Sequence, residues 1–148
     1  MKQISNKLFF EQVEALIAEG QEAELRLRGN SMRPLLRDGR DTVIIAPTTD
    51  CELQPCEVVL FRYQGRHILH RIRRRSGNNL LLAGDGNYRL TEQCTTADVV
   101  GRMVRIRRRS GRVIACNTWH WRLPSACWLL LPALLRRILL AILRRIGR

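Results

Sequence analysis

The stretch that most constrains the fold is Glu57-Val58-Val59-Leu60-Phe61-Arg62-Tyr63, then Gln64-Gly65, then Arg66-His67-Ile68-Leu69-His70-Arg71-Ile72. Two runs rich in β-branched and aromatic residues, joined by two residues that include a glycine, predict a tight β-hairpin. Short apolar segments on either side extend that reading. Residues 24–27 alternate apolar and polar side chains like a half-buried strand, and residues 42–46 read as a buried strand ending at Pro47. Residues 80–83, 99–109 and 113–115 add further strands, punctuated by turns at Ser76-Gly77-Asn78-Asn79 and Ser110-Gly111, with a loop at Gly84-Asp85-Gly86-Asn87. Ahead of them, Phe9, Val13, Leu16 and Ile17 recur at helical spacing, Ser5 is a candidate cap and Gly20 is a stop. We expect an α+β protein, mainly β, with this first helix packed on it as a lid.

Length and charge narrow the class. The 148 residues suit one domain with appendages, and 45% hydrophobic residues exclude wholesale disorder. The reading divides the chain into an N-terminal helix (1–20), a β-rich domain (21–118) and a Trp-rich linker with a basic helix (119–148). The net charge of +13, nearly all arginine, calls for a polyanionic or membrane-surface partner. Cys51, Cys56, Cys94, Cys116 and Cys127 are odd in number and scattered, supporting neither a zinc site nor a disulfide framework. Reduced thiols in a cytoplasmic protein are expected, with no metal and no cofactor. The first residues lack the apolar core of an export signal.

Two further patterns concern charge. Arg71-Ile72-Arg73-Arg74-Arg75-Ser76-Gly77 recurs letter for letter as residues 105–111, which marks two basic hairpin ends rather than a duplicated domain. Near the C-terminus, Trp119, Trp121 and Trp128 precede a helix-forming run. In it Arg137, Arg144 and Arg148 share one side, flanked by Arg136 and Arg145, while Leu135, Leu139, Ile142, Leu143 and Ile146 occupy the other. The uncharged run is too short to span a bilayer. A basic amphipathic helix behind tryptophans fits the interface of an anionic membrane, with Trp128, Arg136, Arg137, Arg144 and Arg145 as its contacts. The alternative is a helix packed on the domain's own sheet.

Chemistry concentrates at Leu27-Arg28-Gly29-Asn30-Ser31-Met32-Arg33-Pro34, where Gly29 frees the backbone and Pro34 suits the first turn of a short helix. Ser31 would stand exposed on a rigid turn, as a nucleophile or merely as a helix cap. A serine needs a base. The two lysines, Lys2 and Lys7, are badly placed, which leaves His67, His70 and His120. Strand alternation puts His67 and His70 on opposite faces, His70 with Ile68 and Ile72.

The ordered set Gly29-Asn30-Ser31-Met32-Arg33-Pro34, Asp38-Gly39, residues 57–61, Leu69-His70-Arg71-Ile72 and Gly84-Asp85-Gly86-Asn87 resembles the signal peptidase and LexA-type serine peptidases. The match covers residues 24–106, and His70 in place of the usual lysine is similar to the endoplasmic-reticulum type. The resemblance implies a small β-barrel-type catalytic domain in which Ser31 is the nucleophile, His70 the general base and Asp85 the third member. Gly29, Asn30 and Met32 would then line the oxyanion and substrate site. Ser31 would attack a peptide carbonyl, His70 would carry the proton to the leaving amine, and water would hydrolyse the acyl-enzyme. An extended peptide or protein substrate would pair with a strand edge near Ser31. Gly29, where signal peptidases carry a serine or similar residue, is closer to the LexA branch. No counterpart of the family's N-terminal transmembrane anchor is recognised, so the C-terminal helix is expected to hold the enzyme peripherally at the cytoplasmic side. Two other readings stand beside this one: a LexA-like self-cleaving or nucleic-acid-associated regulator, and a catalytically silent, membrane-docked peptide-binding module. The lack of a helix-turn-helix and the absence of aromatics among the arginines argue against nucleic acid. The sequence does not set the oligomeric state.

Overall fold

A computed structural model of the chain describes residues 2–146. It is an α+β protein, mainly antiparallel β, whose sheet curls into a half-barrel with helices at both chain ends. Helix α1 (Lys2–Ala18) is followed by β1 (Ala23–Arg26), β2 (Asp41–Ala46), β3 (Val58–Tyr63), β4 (Arg66–Ser76), β5 (Asn79–Gly84), β6 (Asn87–Thr95), β7 (Val99–Arg108) and β8 (Val113–Ala115). Among the described residues these eight strands form one sheet in the order β1-β2-β7-β3-β4-β5-β6, with β8 also on β7. The expected hairpin is β3–β4, turning at Gln64 and Gly65, both with positive φ, and pairing Tyr63 with Arg66.

Strand β3 is buried on both faces, and its alternation feeds two cores. Val58 and Leu60 join Val13, Leu25, Met32, Ile45, Met103 and Ile106 in one cluster. Val59 and Phe61 join Ile72, Leu80 and Leu82 in the other. Each such side chain contributes about 1.5–3 kcal/mol relative to exposure, so β3 is the seam of the molecule. Both copies of the arginine repeat end strands, β4 and β7, that lie on either side of β3 and antiparallel to it, hence run the same way. Their charges are largely spent internally: Arg71 on Asp85, Arg75 on Asp50, Arg105 on Glu22, Arg107 on Glu24 and Arg108 on Asp41.

Three expectations need correction. Helix α1 starts at Lys2, so Ser5 lies within it rather than at its cap. The segment from Ser31 to Leu36 forms turns, with one helical bond from the Leu36 N–H to the Met32 carbonyl, and not the short helix expected at Pro34. The tryptophan stretch is not a linker: it forms helix α2 (Trp119–Leu130), joined across Leu131-Pro132 to helix α3 (Ala133–Ile146) at a bend of 116°. Trp121 and Trp128 turn inward and only Trp119 stays largely exposed, so Trp128 belongs to the interior and not to a membrane-facing girdle. No single described helix is long and apolar enough to cross a membrane.

Candidate active site

The loop between β1 and β2 is fixed at its neck and along its far limb. Gly29, at φ +80°, donates its N–H to Asp38 Oδ2 at 2.8 Å. That amide is thereby committed, and is not free to meet an oxyanion as the sequence suggested. Past Ser31, buried Asp41 accepts from the Arg37 N–H at 2.8 Å, from Arg40 Nε at 3.0 Å and from Arg108 at 2.7 Å. Burial alone would raise the Asp41 pKa, but the Arg40, Arg108 and Arg37 bonds outweigh it and hold the carboxyl below its ordinary range. Met32 and Leu36 plug the loop into the first core. Met32 is 1% exposed, so its side chain anchors the loop and does not line a substrate site. Ser31 is half-buried and Asn30 is exposed.

Gly84-Asp85-Gly86 passes directly beneath this loop. A Cβ on Gly84 would lie 2.3 Å from the Ser31 carbonyl oxygen and 3.0 Å from His70 Nε2, which brings serine backbone and imidazole within about 5.3 Å of each other. A Cβ on Gly86 would lie 2.5 Å from the Asn30 carbonyl oxygen. The Gly86 N–H donates to the Ser31 carbonyl at 2.8 Å. These two glycines are therefore required by close approach, and they bring Ser31 and His70, 39 positions apart in sequence, to one place.

The other imidazole nitrogen meets a carboxylate, though not the one expected. His70 Nδ1 is hydrogen-bonded to Glu92 Oε1, with both side chains close to fully buried. A carboxylate only accepts, so this contact keeps the proton on Nδ1 and leaves Nε2, the nitrogen toward Gly84 and Ser31, as an acceptor. Asp85, expected as the third member, is instead spent on Arg71: Oδ1 accepts from Nε at 2.9 Å and Oδ2 from Nη2 at 2.7 Å, with both side chains fully buried. Strand alternation explains the swap, because Arg71 follows His70 and points to the opposite face. Arg71 also lies 5.3 Å from the Trp121 ring centroid and donates to the Cys56 carbonyl. Trp128 Nε1–H donates to the Asp85 carbonyl at 3.1 Å. Asp85 holds the turn in place; Glu92 orients the imidazole.

Glu92 sits on β6, a strand that sequence reading missed. Residues 87–95 alternate at Tyr88, Leu90 and Cys94 but place an acid, Glu92, in that series; Glu92 and Cys94 are buried and Leu90 is exposed. The available signal was Glu92 itself, an acid two positions before Cys94 in register with the buried Leu82 and Leu80 of β5.

Ser31 stands where two cavities meet. One, of about 290 Å³, is mainly apolar and runs between Leu25 and Leu27 on the β1 side and Ile68 and Leu69 on β4, roofed by Phe9 and Phe10 of α1, with the exposed Arg26 and Arg28 also in its wall. The lid expected of α1 is thus in place. Phe10 stacks on His67 with ring centroids 4.5 Å apart, and His67 Nε2 bonds Glu14 at 3.0 Å. The β1 edge is unpaired on this side, and β4 leaves residues 66–70 unpaired by β5, so two strand edges face the groove. The second cavity, of about 410 Å³, is polar, with Asn30, Arg33, Gly86, Asn87, Leu140 and Arg144 around Ser31. No described backbone or side-chain group accepts the Ser31 N–H.

Helix α3 supplies the wall of that second cavity and meets the domain through a mixed face, since Leu143 and Ile146 also line a cavity with Arg33, Pro34, Arg37 and Arg40. Leu140 is buried and Arg144 lines the cavity. Arg136, half-buried, lies close enough to Arg73 to oppose its charge. Leu134, Leu135, Ile138, Leu139, Ile142, Leu143 and Ile146 are exposed, as are Arg137 and Arg145. Of the residues expected to meet a membrane, Arg136 is half-buried, Arg144 is exposed but borders the Ser31 cavity, and Arg137 and Arg145 are exposed. Arg148 lies outside the described residues. No family model matches the chain, and no curated protein or solved structure matches it either.

Proposed function

We propose that this protein is a serine endopeptidase acting at a membrane surface, with Ser31 as nucleophile, His70 as general base and Glu92 as the group that orients it. The observation that carries this is the joint approach of the Ser31 carbonyl and His70 Nε2 to Gly84, with Nδ1 held by Glu92. An extended peptide enters the apolar groove between the β1 edge and residues 66–70 of β4, where main-chain hydrogen bonds align it. His70 Nε2 takes the Ser31 hydroxyl proton as the oxygen attacks the carbonyl carbon. The resulting oxyanion meets the unpartnered Ser31 N–H. The imidazolium returns its proton to the leaving amine, and water, deprotonated by the same nitrogen, cleaves the ester. This assignment fits the signal peptidase and LexA-type architecture that the motif order resembles, as a histidine form of it.

The membrane part rests on α3. An exposed row of Leu134, Leu135, Ile138, Leu139 and Ile142 beside Arg137 and Arg145, in a chain with no acid after Asp98, suits the headgroup boundary of an anionic bilayer. Because the inner side of α3 borders the Ser31 cavity, a docked enzyme holds its nucleophile about one helix diameter, ~10 Å, from the lipid. Substrates are then polypeptides presented at the bilayer.

The test pairs cleavage with docking. Peptides with apolar residues on one side of the scissile bond are incubated with the wild type, Ser31→Ala and His70→Ala. Cleavage lost in both variants, with melting unchanged, supports the reading; cleavage surviving Ser31→Ala removes it. Ile138→Glu with Ile142→Glu should abolish co-sedimentation with vesicles containing phosphatidylglycerol while leaving cleavage of soluble peptides intact. Undiminished sedimentation would remove the membrane part.

A further inference from the structure

The second cavity beside Ser31 contains two arginines and no acid: Arg33 from the loop and Arg144 from α3. Arg33 is the more telling. It follows the nucleophile by two residues and is half-buried, and its Nε is shielded from solvent with no hydrogen-bond partner among the described residues. It makes no ion pair there either, although Arg40, Arg71 and Arg108 nearby in the fold all have carboxylates. A shielded guanidinium donor without an acceptor is unfavourable by itself, and a bound anion would relieve it. Arg144, across the same cavity, is also without an acidic partner among the described residues. Asn30 and Asn87 add neutral polar groups to the lining. The groove on the other side of Ser31 also carries two arginines, Arg26 and Arg28, but both are exposed and neither has a shielded, unpartnered donor. Most of its lining is apolar, with Leu25, Leu27, Ile68 and Leu69.

From the shielded, unpartnered Arg33 donor on one side of Ser31 and the mainly apolar groove on the other, we infer that the enzyme is selective for peptides carrying an apolar side chain on one side of the scissile bond and a carboxylate on the other. Arg33 and Arg144 are the residues that read the carboxylate. The inference rests on the peptidase reading and names its substrate class. It also makes α3 two-sided in function, its outward face meeting lipid while Arg144, exposed at the rim of the Ser31 cavity, reads the substrate. A substrate acid, repelled by an anionic bilayer, is drawn into the gap between α3 and the Ser31 loop. The two arginines present planar forks suited to a carboxylate, which lysine would not reproduce.

The test uses two measurements on the full chain. In the first, fluorescent peptides that differ only in Glu, Gln or Lys at positions flanking an apolar residue are titrated against Ser31→Ala by anisotropy. In the second, the same peptides are given to the wild type and kcat/KM is measured. A charge-assisted contact of this kind is worth about 10- to 100-fold. The Glu peptide should bind and turn over better than the Gln peptide by that factor. In the Arg144→Gln background the preference should shrink towards unity, and Arg144→Glu should favour the Lys peptide. Arg144 is exposed on α3, so its variants keep the fold, and Arg33→Gln serves as the second arm. Equal affinity of Ser31→Ala for all three peptides overturns the inference while leaving the peptidase reading untouched. Charge-selective binding without any wild-type cleavage overturns the peptidase reading and leaves the anion-reading cavity in place.

Discussion

Replacing Gly84 by alanine tests the geometry at its tightest point. The new methyl would start 2.3 Å from the Ser31 carbonyl oxygen and 3.0 Å from His70 Nε2, where ordinary contact begins near 3.4 Å. The carbonyl must retreat by about 1.1 Å to restore contact, and it cannot do so freely. It accepts the Gly86 N–H at 2.8 Å, and Met32 fixes the same loop in the core. Overpacking of this kind costs about 1–3 kcal/mol of stability, which for a chain of this size lowers Tm by about 2–4 °C per kcal/mol. The effect on chemistry is larger. A misplacement of about 1 Å between reacting groups costs roughly 100-fold in rate, or about 2.7 kcal/mol of barrier. Calorimetric melting gives the first quantity, and the second-order rate of acylation by a fluorophosphonate gives the second. A Gly84→Ala protein that melts a few degrees lower and acylates about 100-fold more slowly agrees with the account. One that keeps its fold and reacts at the wild-type rate refutes the claim that Ser31 and His70 meet across this glycine.

Three other perturbations separate roles that the geometry assigns. Glu92→Gln replaces an acceptor-only carboxylate by an amide that can also donate to Nδ1 and so favour the other His70 tautomer, and should slow acylation by about 10²–10⁴-fold with little change in Tm; measuring both on one preparation makes the contrast. Asp85→Asn should do the opposite first, leaving Arg71 buried without its full counter-charge and costing about 3–5 kcal/mol in denaturant unfolding; wild-type stability in this variant would contradict the structural role. The depressed Asp41 carboxyl contributes stability that is complete above its unfolded pKa and is lost as pH falls through the lower folded value. Melting scans should therefore show Tm falling below about pH 4, with a shallower fall in Asp41→Asn.

How far the residues announce this arrangement varies with the physics behind each element. The β3–β4 hairpin was legible because a glycine-containing two-residue turn and β-branched runs act locally. The Ser31 turn was legible for similar reasons, since Gly29 takes the positive φ there without the penalty a side chain would meet. Strand β6 was not, because its inward face carries Glu92 and Cys94 rather than an apolar pair, and only the long-range contact with His70 makes burying that acid favourable. Asp85 drew the wrong assignment for a related reason. Its sequence neighbourhood shows a loop acid, whereas its partner is set by which face Arg71 takes on β4, and that depends on pairing with β3. The amphipathy of α3 was visible along the chain, but which face meets the domain was not. Leu140 and Arg144 reach the Ser31 cavity only because α2 first buries Trp121 and Trp128 and the chain then turns by 116°. Burial of Trp128 is a tertiary choice that no local pattern dictates.

The central claim is that the Ser31 hydroxyl is made nucleophilic by His70, and the most direct test is the site of covalent capture. The protein is treated with a fluorophosphonate and digested, and the modified residue is read by peptide mass spectrometry, alongside His70→Ala. The account predicts a single stoichiometric adduct on Ser31 that disappears when His70 is removed. An unmodified Ser31 in the folded wild type, or labelling that persists equally without His70, would contradict it.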